Sequence, residues 1–410
     1  MSAVVETLEE PAEHPAVDDQ LARRNAVVLA VAQALAGGNN TVIVATSSII
    51  GAVLAPNKGL ATLPITMMVL GMWFGTLPVG MLARRFGRRF ALQVGSAFGV
   101  LSGLISYAAV THGQFTLLLL GTFCGGLYAA AHMSYRFAAA DTASEAYRPK
   151  VVSWVLAGGV FAAVIGPQLV IYTKDLSPYL FAASFLGQSA CALAAAAVLQ
   201  FVRIPRLPAH HAARGRPLFE IVRAPRFIVA AACGVASYVT MNLVMTSAPL
   251  AMVGCGHSVN AAALGIQWHV LAMYSPSFIT GSLIARFGVE RITTVGLGLI
   301  AFAAIAGISG VTVAHFWSGL VLLGFGWNFA FIGATTMVTR CHRTEERNAV
   351  QAFNDFLIFG SMALSSFSSG QLLADFGWAT VNAVLFPTVL VAALSLGWLR
   401  WRDRAQAAAV

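Results

Sequence analysis

The sequence predicts an all-α integral membrane protein of twelve transmembrane helices, built as two six-helix bundles related by pseudo-two-fold symmetry. Three observations predict it. Of the 410 residues, 58% are apolar and 10% are charged, against about 45–50% and about 25% in soluble domains. That is too little charge to clothe a soluble surface, and a mean hydropathy of +0.76 agrees. Apolar runs recur at the ~20 residues that a membrane crossing needs, and basic clusters alternate with them. A soluble enzyme, a disordered chain and a nucleic-acid binder are excluded, despite the pI of 9.7.

Residues 1–22 carry Glu6, Glu9, Glu10, Glu13, Asp18 and Asp19 without an apolar run. They read as a disordered cytoplasmic tail rather than a secretory signal. Spans are expected at 26–53, 60–83, 91–110, 115–137, 151–173, 179–202, 227–253, 260–285, 292–312, 316–339, 349–373 and 379–399. Long unbroken runs favour helices over barrel strands, which alternate over about ten residues. Backbone hydrogen bonding in lipid allows only those two solutions. The N-terminal bundle is expected over 23–202 and the C-terminal bundle over 227–402, with a tail at 403–410. Between the bundles, the linker 203–226 carries Pro205, Pro208, Pro217 and six arginines.

Charge placement supports this division. With the N-terminus inside, every Lys and Arg of the 25 falls on the cytoplasmic side except Lys58 and Lys174. The positive-inside rule then puts both termini in the cytoplasm, so the basic pI is a topology signal. Five cysteines without a CxxC motif do not suggest a disulfide framework. An internal repeat links the halves: Gly80, Leu82, Arg85, Phe86 and Gly87 match Gly281, Leu283, Arg286, Phe287 and Gly288 at an offset of 201.

From about residue 25 to 400 the chain resembles the major facilitator superfamily of secondary transporters. The segment Gly80–Arg89 resembles that superfamily's signature loop between spans two and three. The resemblance implies conformational roles for Gly80, Arg85, Gly87, Arg88 and Arg89, although Arg84 stands where an acid is usual. Gly158, Gly159, Gly166 and Pro167 partly resemble a glycine-proline pattern of some exchangers. The implied mechanism is alternating access around a site near the bilayer midplane, with spans one, four, seven and ten lining the cavity. A monomer in a bacterial inner membrane is expected, with no nucleic-acid partner.

Ionisable residues at membrane depth are functional candidates because they are costly there. No Asp or Glu lies near a span centre. Asp355, two turns into span eleven, is nearest, and it can equally pair with Arg347 or cap a helix. Two pairs stand out: Met241 with Met245 in span seven, and His269 with Met273 in span eight. Each is i, i+4, on one helix face, and the pairs sit level on neighbouring helices. Thioether and neutral imidazole suit a soft ion such as Cu(I). Packing is the competing reading, since methionine is a ready gap-filler.

The spacing of Met241, Met245, His269 and Met273 is similar to that of the CcoA-like copper importers. This implies four transient ligands, with copper as cargo and no cofactor. The ordinary range of imidazole makes His269 a candidate for coupling release to protonation. Cys233 and Cys255 flank span seven and His257 sits at its outer mouth; path residues and inert positions are both open for them. Bacterial riboflavin transporters form a neighbouring branch, and segments 137–144 and 326–329 look common to both. A flavin wants stacking surfaces and amides, which Asn39, Asn40, Tyr128, Trp268, Trp327 and Asn328 offer. Asn39 and Asn40 follow Gly37 and Gly38, a candidate hinge.

The leading expectation is therefore a Cu(I) importer, and the alternative is a carrier of riboflavin or another small aromatic solute. A membrane sensor would usually append a sizeable soluble domain. An enzyme is not expected, because no nucleophile elbow, zinc-ligand spacing or phosphate-cradling loop is present.

Overall fold

The computed structural model describes residues 18–144, 147–204, 215–343 and 345–408. Most of the expected acidic tail, and Pro205, Arg206, Pro208 and Arg214 of the linker, lie outside the described residues. The first half comprises α1 (Asp19–Leu54), a 3₁₀ turn (Lys58–Leu60), α2 (Leu63–Phe86), α3 (Arg88–Thr111), α4 (Phe115–Met133), α5 (Tyr135–Ala140), α6 (Arg148–Thr173) and α7 (Ala182–Leu199). A short linker helix α8 (Leu218–Val222) leads to α9 (Pro225–Gly254), α10 (Val259–Tyr274), α11 (Ser277–Phe287), α12 (Val289–Ser309), α13 (Val313–Thr339), α14 (Arg347–Ala383) and α15 (Leu385–Ala408).

Ten helical stretches are long and apolar enough to cross a membrane among the described residues. Two features reconcile this with twelve crossings. The eighth is broken at Ser275 and Pro276 into α10 and α11, of 16 and 11 residues. Proline has no N–H to continue the ladder, so the break falls there. The eleventh and twelfth follow one another without an intervening loop: at Gly377 the backbone leaves helical geometry, with φ 78° and ψ 178°, and the chain turns there from one helix into the next. That left-handed conformation is open to glycine at little cost.

Helix ends depart from the apolar pattern where side chains cap them. The Asp18 carboxylate accepts the N–H groups of Gln20 and Leu21, both at 2.9 Å. Asp19 accepts the Ser144 N–H and hydroxyl. Thus α1 begins at Asp19, inside the stretch expected to be tail. At the other end α15 continues to Ala408, beyond the expected boundary at 403. Arg226 donates to Asp403 at 3.1 Å there.

Within each half, glycine lets helices touch backbone to backbone, the usual device where no water drives helices together. A Cβ on Gly126 of α4 would sit 2.0 Å from the Met68 carbonyl of α2, and one on Gly324 of α13 would sit 2.6 Å from the His269 carbonyl of α10. The glycine pairs of α1 and α6 serve the same end. A Cβ on Gly158 would meet the Ala30 carbonyl at 2.3 Å, and one on Gly166 the Gly38 carbonyl at 2.6 Å. Gly37 and Gly38 lie in an unbroken helix.

Polar contacts between the halves occur at the end remote from the arginines. Thr62 Oγ1 donates to the Ser366 carbonyl at 3.0 Å, Thr66 Oγ1 to Ser366 Oγ at 3.2 Å, and Gln168 to Gln267 at 2.8 Å. Gly370 permits this approach, since its Cβ would lie 2.4 Å from Thr62 Oγ1. Among the described residues no ion pair at the basic end joins one half to the other. Arg88 pairs with Asp141 at 2.8 Å. Arg216 of the linker grips Glu346, at the start of α14, through Nε at 2.8 Å and Nη2 at 2.9 Å. The N–H groups of Arg343 and Arg216 also donate to Glu346.

The Arg216 guanidinium, aided by the Arg343 N–H, holds the Glu346 carboxyl well below the usual carboxylate range. A depressed folded-state pKa stabilises fully above the unfolded value of about 4.3 and loses that contribution as pH falls through the folded one. Glu346→Gln should therefore lower the midpoint of thermal unfolding by a few degrees. The gap from wild type should hold from pH 8 to about 5 and then narrow steadily below about 4 as pH falls toward the depressed folded-state value. Gly370→Leu should prise the halves apart at the remote end. Single cysteines placed at Thr62 and Ser366 should then label severalfold faster with an impermeant maleimide than in the Gly370 background.

Candidate substrate site between the halves

A cavity of about 130 Å³ lies between the halves. It is walled by α1, α2, α4 and α6 on one side and by α9, α10 and α14 on the other. Spans one, four and seven contribute, as the family resemblance implied. Span ten contributes no lining residue; α2, α6, α10 and α14 complete the wall in its place.

The lining is rich in thioether. Met68, Met72 and Met133 come from the first half, and Met241, Met245, Met273 and Met362 from the second. Among the described residues no carboxylate, lysine or arginine lines the cavity. Its polar groups are Gln33, Asn40 and Thr41 of α1, His132 of α4, and the phenols of Tyr238 and Tyr274. Thr41 is already engaged, donating to the Gly37 carbonyl at 2.9 Å.

Of the four residues expected to share a soft-ion site, Met241, Met245 and Met273 meet at this cavity. His269 does not join them. It is fully buried, and its Nδ1–H donates to the Leu320 carbonyl of α13 at 2.7 Å. The face of α10 that carries the pair straddles the seam between the cavity and α13, so residues one turn apart part company.

The amide and aromatic candidates divide similarly. Asn40 lines the cavity, with its Oδ1 buried and unpartnered. Asn39 faces the opposite way and exchanges two hydrogen bonds with Gln188 of α7, each at 3.2 Å. Tyr128 packs onto α3, where a Cβ on Gly99 would lie 2.4 Å from its ring. Trp268 is exposed on the outer surface, away from the lining. Trp327 stands behind the lining, stacked on Phe331 at 5.1 Å and edge-on to Tyr238 at 5.2 Å. Asn328 bridges the break in the eighth span. It donates to the Met273 carbonyl at 2.6 Å and to Ser277 at 2.7 Å, and accepts from Thr280 at 2.6 Å. A break in the helical ladder leaves that carbonyl needing a donor inside the membrane.

Cys233 is buried against the Ala392 carbonyl, away from the cavity, and Cys255 is exposed. His257 donates to the Val311 carbonyl at 2.6 Å. Asp355 makes no ion pair with Arg347 among the described residues; the cation whose charge acts on it is Arg136 of α5. In the signature loop, Gly87 holds φ 93°, and its repeat partner Gly288 holds φ 90°. Arg88 reaches Asp141, Arg89 reaches Gln200, and Arg85 lies over Phe86 as Arg286 lies over Phe287. Gly80 has open space around it.

Sequence reasoning passed over Gln33, His132, Tyr238, Tyr274 and Phe359. A signal existed for His132, the same that singled out His269: an imidazole inside an apolar span. Nothing in periodicity tells which of the two faces the cavity.

Comparisons with known proteins agree with this architecture. Residues 29–366 match the sequence model of the Major Facilitator Superfamily. The chain is 48% identical over 383 residues to the riboflavin transporter RfnT of Brucella anthropi, covering 92% of this chain and 96% of that protein. It is 28% identical over 389 residues to the uncharacterised transporter YdeG of Bacillus subtilis, covering 90% of each. Among solved structures, the nucleoside transporter NupG superposes with a TM-score of 0.70 at 13% identity, over 92% of this chain and 98% of that one. The xylose transporter XylE of E. coli superposes with a TM-score of 0.68 at 13% identity, over 92% and 97%. With the family model spanning most of the chain and the helices disposed as twelve crossings around a central cavity, the chain belongs to the Major Facilitator Superfamily of membrane transporters.

Proposed function

We propose that this transporter carries a flavin-class aromatic heterocycle across the bacterial inner membrane by alternating access, its basic end facing the cytoplasm. The observation that carries the reading is the make-up of the cavity. The rings of Tyr238, Tyr274 and Phe359 offer flat contact, and Gln33, Asn40 and His132 offer neutral hydrogen bonds. This is the combination a fused, uncharged heterocycle requires. The 48% identity to a riboflavin transporter points the same way. At about 130 Å³ the cavity is smaller than the ~300–1,000 Å³ of sites for drug-sized ligands. The walls must part to admit such a solute, as rocking of the two halves does.

A second reading, import of Cu(I), is favoured by one feature: among the described residues seven thioethers and one imidazole line the cavity, and no carboxylate does. Soft, uncharged ligands of this kind select Cu(I).

Expressed in a riboflavin auxotroph without its own importer, the protein should restore growth at low riboflavin. Tyr238→Ala should cut uptake about tenfold, the weight of a lost aromatic contact of ~1.5 kcal/mol. Trp327→Ala, which removes only the support behind Tyr238, should cost less. No rescue by wild type would count against the flavin reading. Cellular copper accumulation decides the second: replacing Met241, Met245 and Met273 together by Leu should abolish it if copper is the cargo and leave it unchanged otherwise. His269→Leu should lower the unfolding midpoint while changing either uptake by less than twofold.

A further inference from the structure

Buried polar atoms without partners are rare in native structures, and each asks for an explanation. Two of them belong to residues of the cavity wall: His132 Nε2 and Asn40 Oδ1. Both sit on the first-half wall, and they differ in chemistry. Gln33 Nε2 lies 3.5 Å from His132 Nδ1. An amide nitrogen can only donate, so Nδ1 accepts and the neutral ring carries its proton on Nε2. His132 Nε2–H is then a buried donor without a partner, on a residue of the cavity wall. Its ring is held edge-on to Tyr128 at 5.9 Å and to Tyr135 at 6.3 Å, which fixes its direction. Asn40 Oδ1 is a buried acceptor without a partner, also on the wall.

The two stand at different depths. Gln33 and Asn40 are seven residues apart on α1, about 10 Å along its axis. The flat aromatic contacts share the Gln33 level. A Cβ on Gly158 would lie 3.0 Å from Gln33, and one on the adjacent Gly159 would lie 3.3 Å from the Tyr274 ring. Tyr238 lies three residues nearer the basic end than Met241, and its ring is 6.5 Å from that of Phe359. The Asn40 level, by contrast, is flanked by Thr41 and Val44, with Met245 toward the far end of α9. The cavity thus has an aromatic floor with a donor beside it, and an acceptor about 10 Å further along the axis.

We infer that His132 is the specificity-determining residue for the ring system: its Nε2–H donates to a carbonyl or ring nitrogen of a planar heterocycle lying against Tyr238, Tyr274 and Phe359, while Asn40 Oδ1 accepts from a hydroxyl on the solute's polar chain. This rests on the flavin-class reading and assigns which end of the solute meets which residue. No proton is gained or lost in the contact, and Gln33 acts as a positioning residue that sets the tautomer.

The test uses the full chain in lipid nanodiscs and two probes, riboflavin and lumiflavin, which keeps the ring system but lacks the ribityl chain. Binding is read by quenching of flavin fluorescence. His132→Leu should raise Kd about tenfold for both probes, the effect of one buried hydrogen bond lost. Asn40→Ala should raise Kd about tenfold for riboflavin and change that for lumiflavin by less than twofold. His132→Gln, whose amide can donate, should recover part of the loss. Unaltered lumiflavin binding in the native-folded His132→Leu protein overturns the assignment, as does an Asn40→Ala variant that weakens both probes equally. In either case wild-type binding leaves the flavin reading standing. Wild-type protein that binds neither probe removes the flavin reading and this assignment with it.

Discussion

Inside a bilayer each backbone N–H and C=O must find a partner without water, and the whole architecture follows from that demand. It makes every crossing a helix and makes each departure from helix conspicuous. The eighth crossing breaks at Ser275 and Pro276, and Asn328 on the neighbouring α13 supplies a donor to the Met273 carbonyl at the break. The break in turn orients Tyr274, which ends α10 and faces the cavity. A residue that looked like a solute contact is part of the frame that shapes the site.

The same dryness explains the cavity's composition. A fixed charge would be costly there, and none of the described residues puts one in the lining. Recognition is left to thioethers, aromatic rings and neutral hydrogen-bonding groups, divided between the halves. The first half presents Gln33, Asn40 and His132; the second contributes Tyr238, Phe359 and four of the methionines. A solute that bridges both walls feels the two halves move, which couples binding to the rocking motion.

Contacts outside the cavity are graded along the axis. Neutral hydrogen bonds join the halves at the remote end. At the basic end the ion pairs tie Arg88 to Asp141 within the first half and Arg216 of the linker to Glu346 of the second. Aromatic contact of Trp73 with Phe356, at 5.0 Å, joins the halves nearer that end. Uncharged contacts are cheaper to exchange in a low-dielectric seam than desolvated ion pairs are.

Much was legible from the chain alone. Apolar run length and arginine spacing determined the helical class, the twelve crossings and the division into halves, because lipid imposes length and charge rules that act residue by residue. The repeat of Gly87 and Gly288 was visible too, since a left-handed turn selects glycine. Which side of a helix faces the solute was decided only by tertiary packing. In a span that is apolar all round, lipid, neighbour and cavity faces look alike. Met273 and His269 share a helix face in sequence, yet one lines the cavity and the other bonds α13, and His132 took the place at the cavity that His269 was expected to hold.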